Sequence, residues 1–400
     1  MRYEIVSGTV VVGDGYTSPR LRDRVVVAVI TLVVKPYAIG RQQQIASAYG
    51  GLFDDTIGMT DGRLRGLRIP EGTTNKMTNP VFGHATWNNN WSAAASIVEL
   101  QNTDPAFVLF GYNSAWLQSR AAANNTYTQS INVGNVNTHT LSCYVRRRDG
   151  AAVTVSDCQL YYNVSLTTTY TSVGNGWYRL TASQAGINAP TATGILVANG
   201  RHIYADGFQI EEKAYATPLA WGDLHGCAWT STAHASTTTR TAARARLPIS
   251  VNVFNLSVGS VRVVWKTDYS NTHPNDQFFF SCGAASLRAW FQASDDTIKL
   301  SDGVNTITTA ALSFTAGSVQ ILHFAWGPGS LRIYRNGASG ASGATYTPPT
   351  MPTYIYIGSD DAGATQLCGA IQDFSIFGVQ LTTTEMATDN TNATQITADG

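Results

Sequence analysis

Paired carboxylates are the usual means of hydrolytic chemistry, and this chain offers few of them. Glu211 and Glu212 are adjacent, so on a strand their side chains point to opposite faces of the sheet. A glycosidase needs two carboxylates that flank one bond at about 5–9 Å, so this pair does not predict one. Asp54-Asp55 and Asp295-Asp296 have the composition of turns. The carboxylates therefore predict no catalytic pair.

The other residue types that do chemistry are equally dispersed. The sequence has no HExxH or H-x-H spacing and no His/carboxylate pair, its serines lack a G-x-S-x-G context, and no glycine-rich loop joins a strand to a helix. We therefore expect no catalytic residues and no enzyme activity. The histidines are His84, His139, His202, His225, His234, His273 and His323.

Aromatic side chains could instead bind sugar, because the CH groups of a pyranose pack on indole and phenol faces. Trp87 and Trp91 flank an Asn-rich turn and are the candidate carbohydrate-binding residues. Most of the other large aromatics lie inside strand patterns, where we expect core positions: Tyr112, Trp116, Trp265, Trp290 and Trp326.

Composition narrows the class of protein. The 400 residues predict two or three domains, the formal net charge is zero, and only 13% of residues are charged. Phosphate binding needs clustered Lys and Arg, so a nucleic-acid partner is not expected. The longest apolar run, residues 25–34, has ten residues, which is too short for a membrane-spanning helix, and its β-branched content favours a strand. We predict neither membrane insertion nor a signal peptide.

Five cysteines, an odd number, do not form a disulfide framework. Cys143 and Cys158 flank a turn at Asp149-Gly150, which predicts neighbouring strands with Cα atoms within disulfide reach, roughly 4.4–6.8 Å. Whether they are bonded stays open. The remaining cysteines lack metal-ligand spacing, so free buried thiols are expected: Cys227, Cys282 and Cys368.

The last third of the chain has the pattern of a complete antiparallel sandwich. Alternating apolar and polar residues recur between turn signals about every ten residues, and Asn336-Gly337 predicts a tight hairpin. The order L-x-I-Y-x-N-G, Y-I-G, G-x-I-x-D-F-x-I-F and L-T-x-x-E across residues 260–385 resembles the concanavalin A-like/laminin-G superfamily. The resemblance implies a β-sandwich that binds sugar, binds protein or only packs.

Sandwiches of that superfamily often carry calcium in loops at one end, held by oxygen ligands. Asp360 and Asp361 follow the Y-I-G strand, and Asp373 lies in the next strand. The resemblance therefore makes these three carboxylates candidate calcium ligands, with a plain turn as the alternative. No other cofactor is expected.

A second set of motifs lies upstream. The sequence E-G-T-T-N at Glu71–Asn75, N-P-x-F at Asn79–Phe82, G-N-G-W-Y-R-L at 174–180 and Y-A-D-G-F-Q-I-E at Tyr204–Glu211 follow one another. They resemble the carbohydrate-binding-module-type jelly roll of phage head-fibre and tail proteins, over residues 79–221. In that resemblance, the Q-x-E of the last motif is structural.

The segments around the sandwiches are less regular. Strand candidates at 5–12 and 24–34 and a short helix at 41–49 are too few for an independent core. We expect the N-terminal region to pack against another chain or to attach the protein; the alternative is a small β-domain completed by the following one. A Ser/Thr-rich stretch from Trp229 to Pro248 predicts an extended linker, and 388–400 predicts a frayed polar tail.

These features predict an all-β protein with the order 1–75 attachment region, 76–222 jelly roll, 223–248 linker, 249–388 concanavalin A-like sandwich and 389–400 polar tail. We interpret it as a non-catalytic structural protein of a tailed-bacteriophage virion, a head fibre, capsid decoration or tail fibre, made in the host cytoplasm. The expected partners are other virion proteins at the N-terminal region, further copies of the chain (a trimer favoured) and a host surface glycan. The alternative is a secreted non-viral carbohydrate-binding or adhesion protein.

Overall fold

The structure, a computed structural model, describes residues 2–11, 26–37, 45–46, 52–53, 67–111, 113–120, 124–224, 227–248, 254–343 and 345–398, with side chains described only from 69 to 390. Within these residues the fold is all-β apart from one 3-10 turn, Pro105–Phe107, and one α-helix at the C-terminal end. The predicted fold class is confirmed.

Six strands precede the first sandwich: β1 (Arg2–Val11), β2 (Val26–Tyr37), β3 (Ile45–Ala46), β4 (Leu52–Phe53), β5 (Leu67–Arg68) and β6 (Thr73–Asn75). The first sandwich comprises β7 (Ser92–Ala93), β8 (Ile97–Asn102), β9 (Ser114–Ser119), β10 (Asn125–Ile131), β11 (Thr138–Arg146), β12 (Cys158–Tyr162), β13 (Val164–Ser165), β14 (Thr169–Gly174), β15 (Trp177–Ala185), β16 (Thr191–Val197) and β17 (His202–Glu211). Two short strands follow it, β18 (Cys227–Trp229) and β19 (Thr238–Arg240).

The second sandwich comprises β20 (Ala245–Pro248), β21 (Gly259–Thr267), β22 (Gln277–Ser281), β23 (Arg288–Gln292), β24 (Thr297–Ser301), β25 (Thr306–Thr308), β26 (Val319–Gly327), β27 (Ser330–Arg335), β28 (Ala338–Gly343), β29 (Tyr354–Ile357) and β30 (Gly369–Phe377). Helix α1 (Thr383–Ala398) follows it. No helix among the described residues combines the length and the apolar character needed to cross a bilayer.

The jelly roll packs a five-stranded sheet, β13-β12-β16-β10-β7, on a six-stranded sheet, β14-β15-β11-β17-β9-β8. Strand β12 illustrates how each strand contributes to the core between the sheets. Cys158, Leu160 and Tyr162 are buried, while the residues between them are half-buried. This period of two places one face of the strand in the core.

The prediction that Cys143 and Cys158 lie on neighbouring strands is wrong. Strand β11, which carries Cys143, pairs with β15 and β17, whereas β12, which carries Cys158, pairs with β13 and β16 in the other sheet. The turn at Asp149-Gly150 therefore belongs to a crossover between the sheets and not to a hairpin. Both thiols are buried and free.

The second sandwich has a six-stranded sheet, β20-β29-β22-β23-β24-β25, and a longer sheet that contains β28-β27-β26-β21-β30. Asn336 (φ 48°) and Gly337 (φ 82°) form the predicted hairpin between β27 and β28, with the two positive φ angles that a type I′ turn requires. The core between the sheets is aromatic and aliphatic. Its largest members include Trp265, Trp326, Phe279, Phe280 and Phe291, so the core positions predicted for Trp265 and Trp326 are confirmed.

The N-terminal strands extend the second sandwich and not the jelly roll. Strand β2 pairs with β1 and with β30, where Val26 lies opposite Phe377, and β5 pairs with β30 where Leu67 lies opposite Ile371. Ile45–Ala46 is a strand where a helix over 41–49 was predicted; the rest of that range lies outside the described residues. The structure therefore agrees better with the alternative prediction, a small β-domain completed by another domain. That other domain is the C-terminal sandwich and not the jelly roll that follows in sequence.

Two other segments differ from expectation. The predicted linker forms β18, β19 and β20, with Thr238 and Arg240 buried, because β19 pairs with β6 and β20 pairs with β29. The predicted polar tail continues helix α1, in which Asp389 is buried. The domain boundaries stay a prediction.

Candidate functional site

The polar residues of the Y-A-D-G-F-Q-I-E motif hold loops together and carry no catalytic geometry. Asp206 Oδ2 accepts hydrogen bonds from the amides of Leu109 (2.9 Å) and Phe110 (2.8 Å), and Oδ1 accepts one from Gly207 (2.7 Å). Burial raises the pKa of Asp206 to about 8, although these amides act in the opposite direction. Asp206 therefore fixes the loop before β9.

Glu211 ties three segments into one buried network. Its Oε1 accepts from Gln209 Nε2 (2.6 Å) and the Thr217 amide (2.7 Å), and its Oε2 accepts from the hydroxyls of Thr73 (2.5 Å) and Thr217 (2.7 Å). Glu212 is exposed and accepts from Asn135 and Asn137. The two glutamates point apart, as predicted.

Strands β18, β19 and β6 form a three-stranded sheet, termed the collar. Arg240 is its buried centre: Nε donates to the Glu71 carbonyl (2.9 Å), and Nη2 donates to Thr217 Oγ1 (2.8 Å). Its Nη1 donates to the carbonyls of Pro218 (2.5 Å) and Leu219 (3.3 Å). The motifs seen upstream and in the predicted linker therefore meet at the collar.

A cluster of potential metal ligands lies where the collar meets the second sandwich. Glu71, His273 and Cys368 place one ligand atom each within 4.8 Å of one another. Cys368 Sγ is 3.2 Å from His273 Nε2 and 3.4 Å from Glu71 Oε1. These three residues are termed the junction triad. Sequence spacing does not indicate this triad, because its members are 95 and 297 positions from Cys368.

Neighbouring side chains fix the junction triad. Lys213 Nζ lies 2.7 Å from Glu71 Oε2, and the Tyr215 hydroxyl lies 2.5 and 2.7 Å from the two carboxylate oxygens. His273 Nδ1 lies 2.9 Å from the Asn275 carbonyl. The ring of Tyr215 packs on His273, with centroids 4.4 Å apart.

The pKa values of the triad follow from burial and charge. Burial acts to raise the pKa of Glu71, but attraction to Lys213 and hydrogen bonds from Lys213, Tyr215 and Cys368 outweigh it, so that pKa lies below its ordinary value. Burial lowers the pKa of His273. Burial and the negative charge of Glu71 both raise the pKa of the Cys368 thiol, to well above its ordinary value. The cluster thus holds a carboxylate, a neutral imidazole and a protonated thiol.

The cleft beside the triad is small. Its volume is about 20 Å³, and its lining includes Glu71, Thr217, Asp268, Tyr269 and Cys368. A space of this size holds about one water molecule beside the thiol.

The structure does not bring the three predicted calcium ligands together. Asp360 accepts from Ala364 N (2.7 Å) in its own turn, whereas Asp373 Oδ2 pairs with Arg262 Nε at 2.9 Å. Among the described residues the junction triad is the group of three acidic, His or Cys side chains that meets metal-ligand spacing, and Asp360, Asp361 and Asp373 do not form one. The alternative of a turn at Asp360 agrees with this geometry.

The two candidate sugar-binding tryptophans occupy different environments. Trp91 is 6% exposed, and its indole stacks on Tyr127 with centroids 4.9 Å apart. It therefore presents no open ring face to a sugar. Trp87 is partly buried against the same core and keeps some exposure, so its role stays a prediction.

A surface of aromatic and cationic side chains lies on the outer side of the β20–β25 sheet. The Arg244 guanidinium lies 5.2 Å from the Tyr356 ring centroid and that of Arg246 lies 4.2 Å from Tyr354. Both arginines are exposed. The alternation R-x-R at 244–246 and Y-x-Y at 354–356 could have indicated this surface, because period two places each pair on one face.

The same surface continues onto β22 and β23. Phe278 and Trp290 are opposite each other in register and stack with centroids 5.8 Å apart, and the Arg288 guanidinium lies 4.9 Å from the Trp290 ring. We term the exposed part of this surface the aromatic face; it consists of Arg244, Arg246, Phe278, Arg288, Tyr354 and Tyr356. Trp290 is only 8% exposed, as its predicted core position requires, and supports this face from below.

Residues 257–387 match the family model described as the concanavalin A-like lectin/glucanases superfamily. The second sandwich is thus a concanavalin A-like domain. That description includes both binding proteins and enzymes, and the match covers about a third of the chain. No curated protein sequence matches the chain.

Solved structures with similar folds include two binding domains. The IT-sialidase CBM40 of Ruminococcus gnavus is 14% identical, over 34% of this chain and 83% of its own length, with a TM-score of 0.28. The receptor-binding domain of botulinum neurotoxin type G is 15% identical, over 44% of this chain and 45% of its own length, with a TM-score of 0.28. At these TM-scores the likenesses do not bear on what the chain binds.

Proposed function

We propose that this chain is a non-catalytic binding protein of lectin type whose aromatic face contacts a glycan. The observation that carries the proposal is the aromatic face itself, on a domain matched by a lectin family model. Ring faces of Tyr354 and Tyr356 suit the CH groups of a sugar, and the flanking guanidiniums suit its hydroxyl or carboxylate oxygens.

Binding to an array of glycans by the purified chain tests this proposal. The double variant Tyr354→Ala/Tyr356→Ala should lose about tenfold in affinity, since each lost aromatic contact costs about 0.5–1.5 kcal/mol. The matched variant Trp87→Ala tests the jelly-roll candidate. Loss of binding in Trp87→Ala alone would place the sugar on the jelly roll, and no binding to any glycan by the wild type would refute the proposal.

We further propose that the protein is a structural component of a tailed-bacteriophage virion, as a head fibre, capsid decoration or tail fibre. The support is the set of jelly-roll motifs in the order seen in such proteins. Weak single-site contacts suit a protein displayed in many copies, because avidity compensates for low affinity. The alternative is a secreted non-viral adhesion protein.

The virion role is tested by particle incorporation. A truncation of residues 1–75 would remove Glu71 and strands that pair with β30, so a shorter truncation is more informative. Removal of residues 1–25 leaves β2 in place and should reduce incorporation if the N-terminal region attaches the protein. Detection in purified particles by mass spectrometry supports the role, and absence from them contradicts it.

A further inference from the structure

We propose that the junction triad, Glu71, His273 and Cys368, is a zinc site that fastens the collar to the concanavalin A-like sandwich. The proposal does not depend on glycan binding or on a virion role. It rests on the donor set, the distances between donors, the groups that orient them, and the space beside them.

The two distances from the Cys368 sulfur lie close to those between ligands on one zinc ion, and the third pair of donor atoms lies within 4.8 Å. Zinc bonds of about 2.3 Å to sulfur and 2.0–2.1 Å to nitrogen or oxygen, at tetrahedral angles, separate the donor atoms by about 3.3–3.6 Å. Cys368 Sγ lies 3.2 Å from His273 Nε2 and 3.4 Å from Glu71 Oε1. Small side-chain movements are enough to place an ion between them.

Residues that contact His273 and Glu71 orient their donor atoms toward the proposed ion. His273 Nδ1 lies 2.9 Å from the Asn275 carbonyl and 3.2 Å from the Asn275 amide nitrogen, which holds the ring with Nε2 toward Cys368. Lys213 lies 2.7 Å from Glu71 Oε2, whereas Oε1 accepts from the Tyr215 hydroxyl (2.7 Å) and faces the sulfur. Such contacts to carbonyls and charged groups are the usual support of zinc ligands.

The cleft that Glu71 and Cys368 line offers a fourth position. Its volume of about 20 Å³ holds about one water molecule, which would complete four-coordination in the proposed site. A thiolate and an imidazole select zinc over calcium or magnesium, which take oxygen ligands. Binding transfers the thiol proton to solvent as the Zn–S bond forms.

The ion would join chain segments that lie 297 positions apart, Glu71 beside the collar and Cys368 beside β30. The proposed role is structural, because the ligands come from the two chain segments that the ion would hold together. Zinc is therefore expected to stabilise the contact between the two sandwiches.

Cobalt substitution tests the site on the full-length chain. After removal of metal with a chelator, one equivalent of Co²⁺ should produce a thiolate-to-cobalt charge-transfer band and the strong visible absorption of four-coordinate cobalt. Cys368→Ser should abolish the charge-transfer band, and His273→Gln should weaken cobalt binding at least tenfold. Cys227→Ser, which removes another half-buried thiol, should leave both features intact. Absence of the band in the wild type, or its persistence in Cys368→Ser, would overturn the proposal.

A second measurement on the wild type alone avoids dependence on variants that fail to fold. The thermal unfolding midpoint of the chelated chain should rise when one equivalent of zinc is added and should stay unchanged with calcium, because an ion that binds only the folded site stabilises it. An unchanged midpoint with zinc would contradict the site.

Discussion

Asp389 of helix α1 forms a buried ion pair with Arg262 of strand β21. Arg262 Nη1 lies 2.7 Å from Oδ1 and 2.8 Å from Oδ2 of the carboxylate. His323 Nε2 lies 2.8 Å from Oδ2 of the same carboxylate, and Arg262 Nε lies 2.9 Å from Asp373 Oδ2. These buried charges attach the C-terminal helix to the outer side of the long sheet.

Asp389→Asn should destabilise the protein by about 3–5 kcal/mol, because it removes one partner of a buried ion pair and leaves Arg262 undercompensated. Urea unfolding at neutral pH measures the loss. The control is Asp295→Asn: its carboxylate lies 3.0 Å from Lys299 but is 44% exposed, so we expect a change of about 1 kcal/mol or less. Similar losses of stability for the two variants would show that the buried ion pair contributes no more than the exposed one.

The contribution of Asp389 should depend on pH in the acid range. Burial acts to raise the pKa of Asp389, but the hydrogen bond to His323 and the charge of Arg262 outweigh it, so that pKa lies below its ordinary value. An acid with a depressed folded-state pKa stabilises the fold fully above its unfolded pKa, about 3.9, and loses this contribution as the pH falls through the folded value. The difference between wild type and Asp389→Asn should therefore shrink below about pH 4. A constant difference between pH 7 and pH 3 would argue against the shift.

Gly207→Ala should cost more than Gly134→Ala. Gly207 has a φ of 59°, and an added Cβ would lie 2.7 Å from Phe110 Cδ2, which is part of a buried ring. The left-handed backbone alone costs about 1–2 kcal/mol, and the clash adds to it. Gly134→Ala is the matched control, because its φ is 87° and nothing lies within 4 Å of the new Cβ. Thermal unfolding of both variants separates strain from clash, and equal shifts would exclude the clash.

Arg240→Lys should loosen the collar. A lysine keeps the charge but cannot replace the donors of a guanidinium that serve four acceptors, so carbonyls at Pro218 and Leu219 lose a partner. We expect a loss of about 2 kcal/mol or more, together with faster limited proteolysis within 229–248. Arg201→Lys, at an arginine whose side chain is 47% exposed, should change neither. Unchanged proteolysis in Arg240→Lys would mean that strand pairing alone holds the segment.

Much of the fold was predictable because it depends on local pattern. Period-two alternation predicted the strands of the second sandwich, and the order of its motifs predicted the first. Asn336-Gly337 predicted its own hairpin because both residues tolerate positive φ. The placement of Cys143 and Cys158 in different sheets was not predictable, since the turn at Asp149-Gly150 looks the same whether the chain returns in one sheet or crosses to the other. The same limit applies to the tail, where the partner of Asp389 lies 127 positions away.

The candidate site was less predictable than the fold. The aromatic pairs at 354–356 follow a local alternation that a search for surface stripes could find. The junction triad follows no spacing rule, because Glu71 and Cys368 meet only after both sandwiches and the collar have formed. Tertiary assembly, not local sequence, creates it.

The collar joins strands that are far apart in sequence, so it forms late during translation. Strand β6 at Thr73–Asn75 pairs with β19 at Thr238–Arg240, so its partner leaves the ribosome about 8–33 s later at about 5–20 residues per second. Phe208 and Glu211, which contact Asn75 and Thr73, leave the ribosome shortly before β19, so near the end of that interval these contacts can form without the neighbouring strand. The jelly roll can therefore be complete before its collar closes. A ribosome pause placed between residues 222 and 238 would hold the nascent chain with the jelly roll formed and β6 still unpaired with β19.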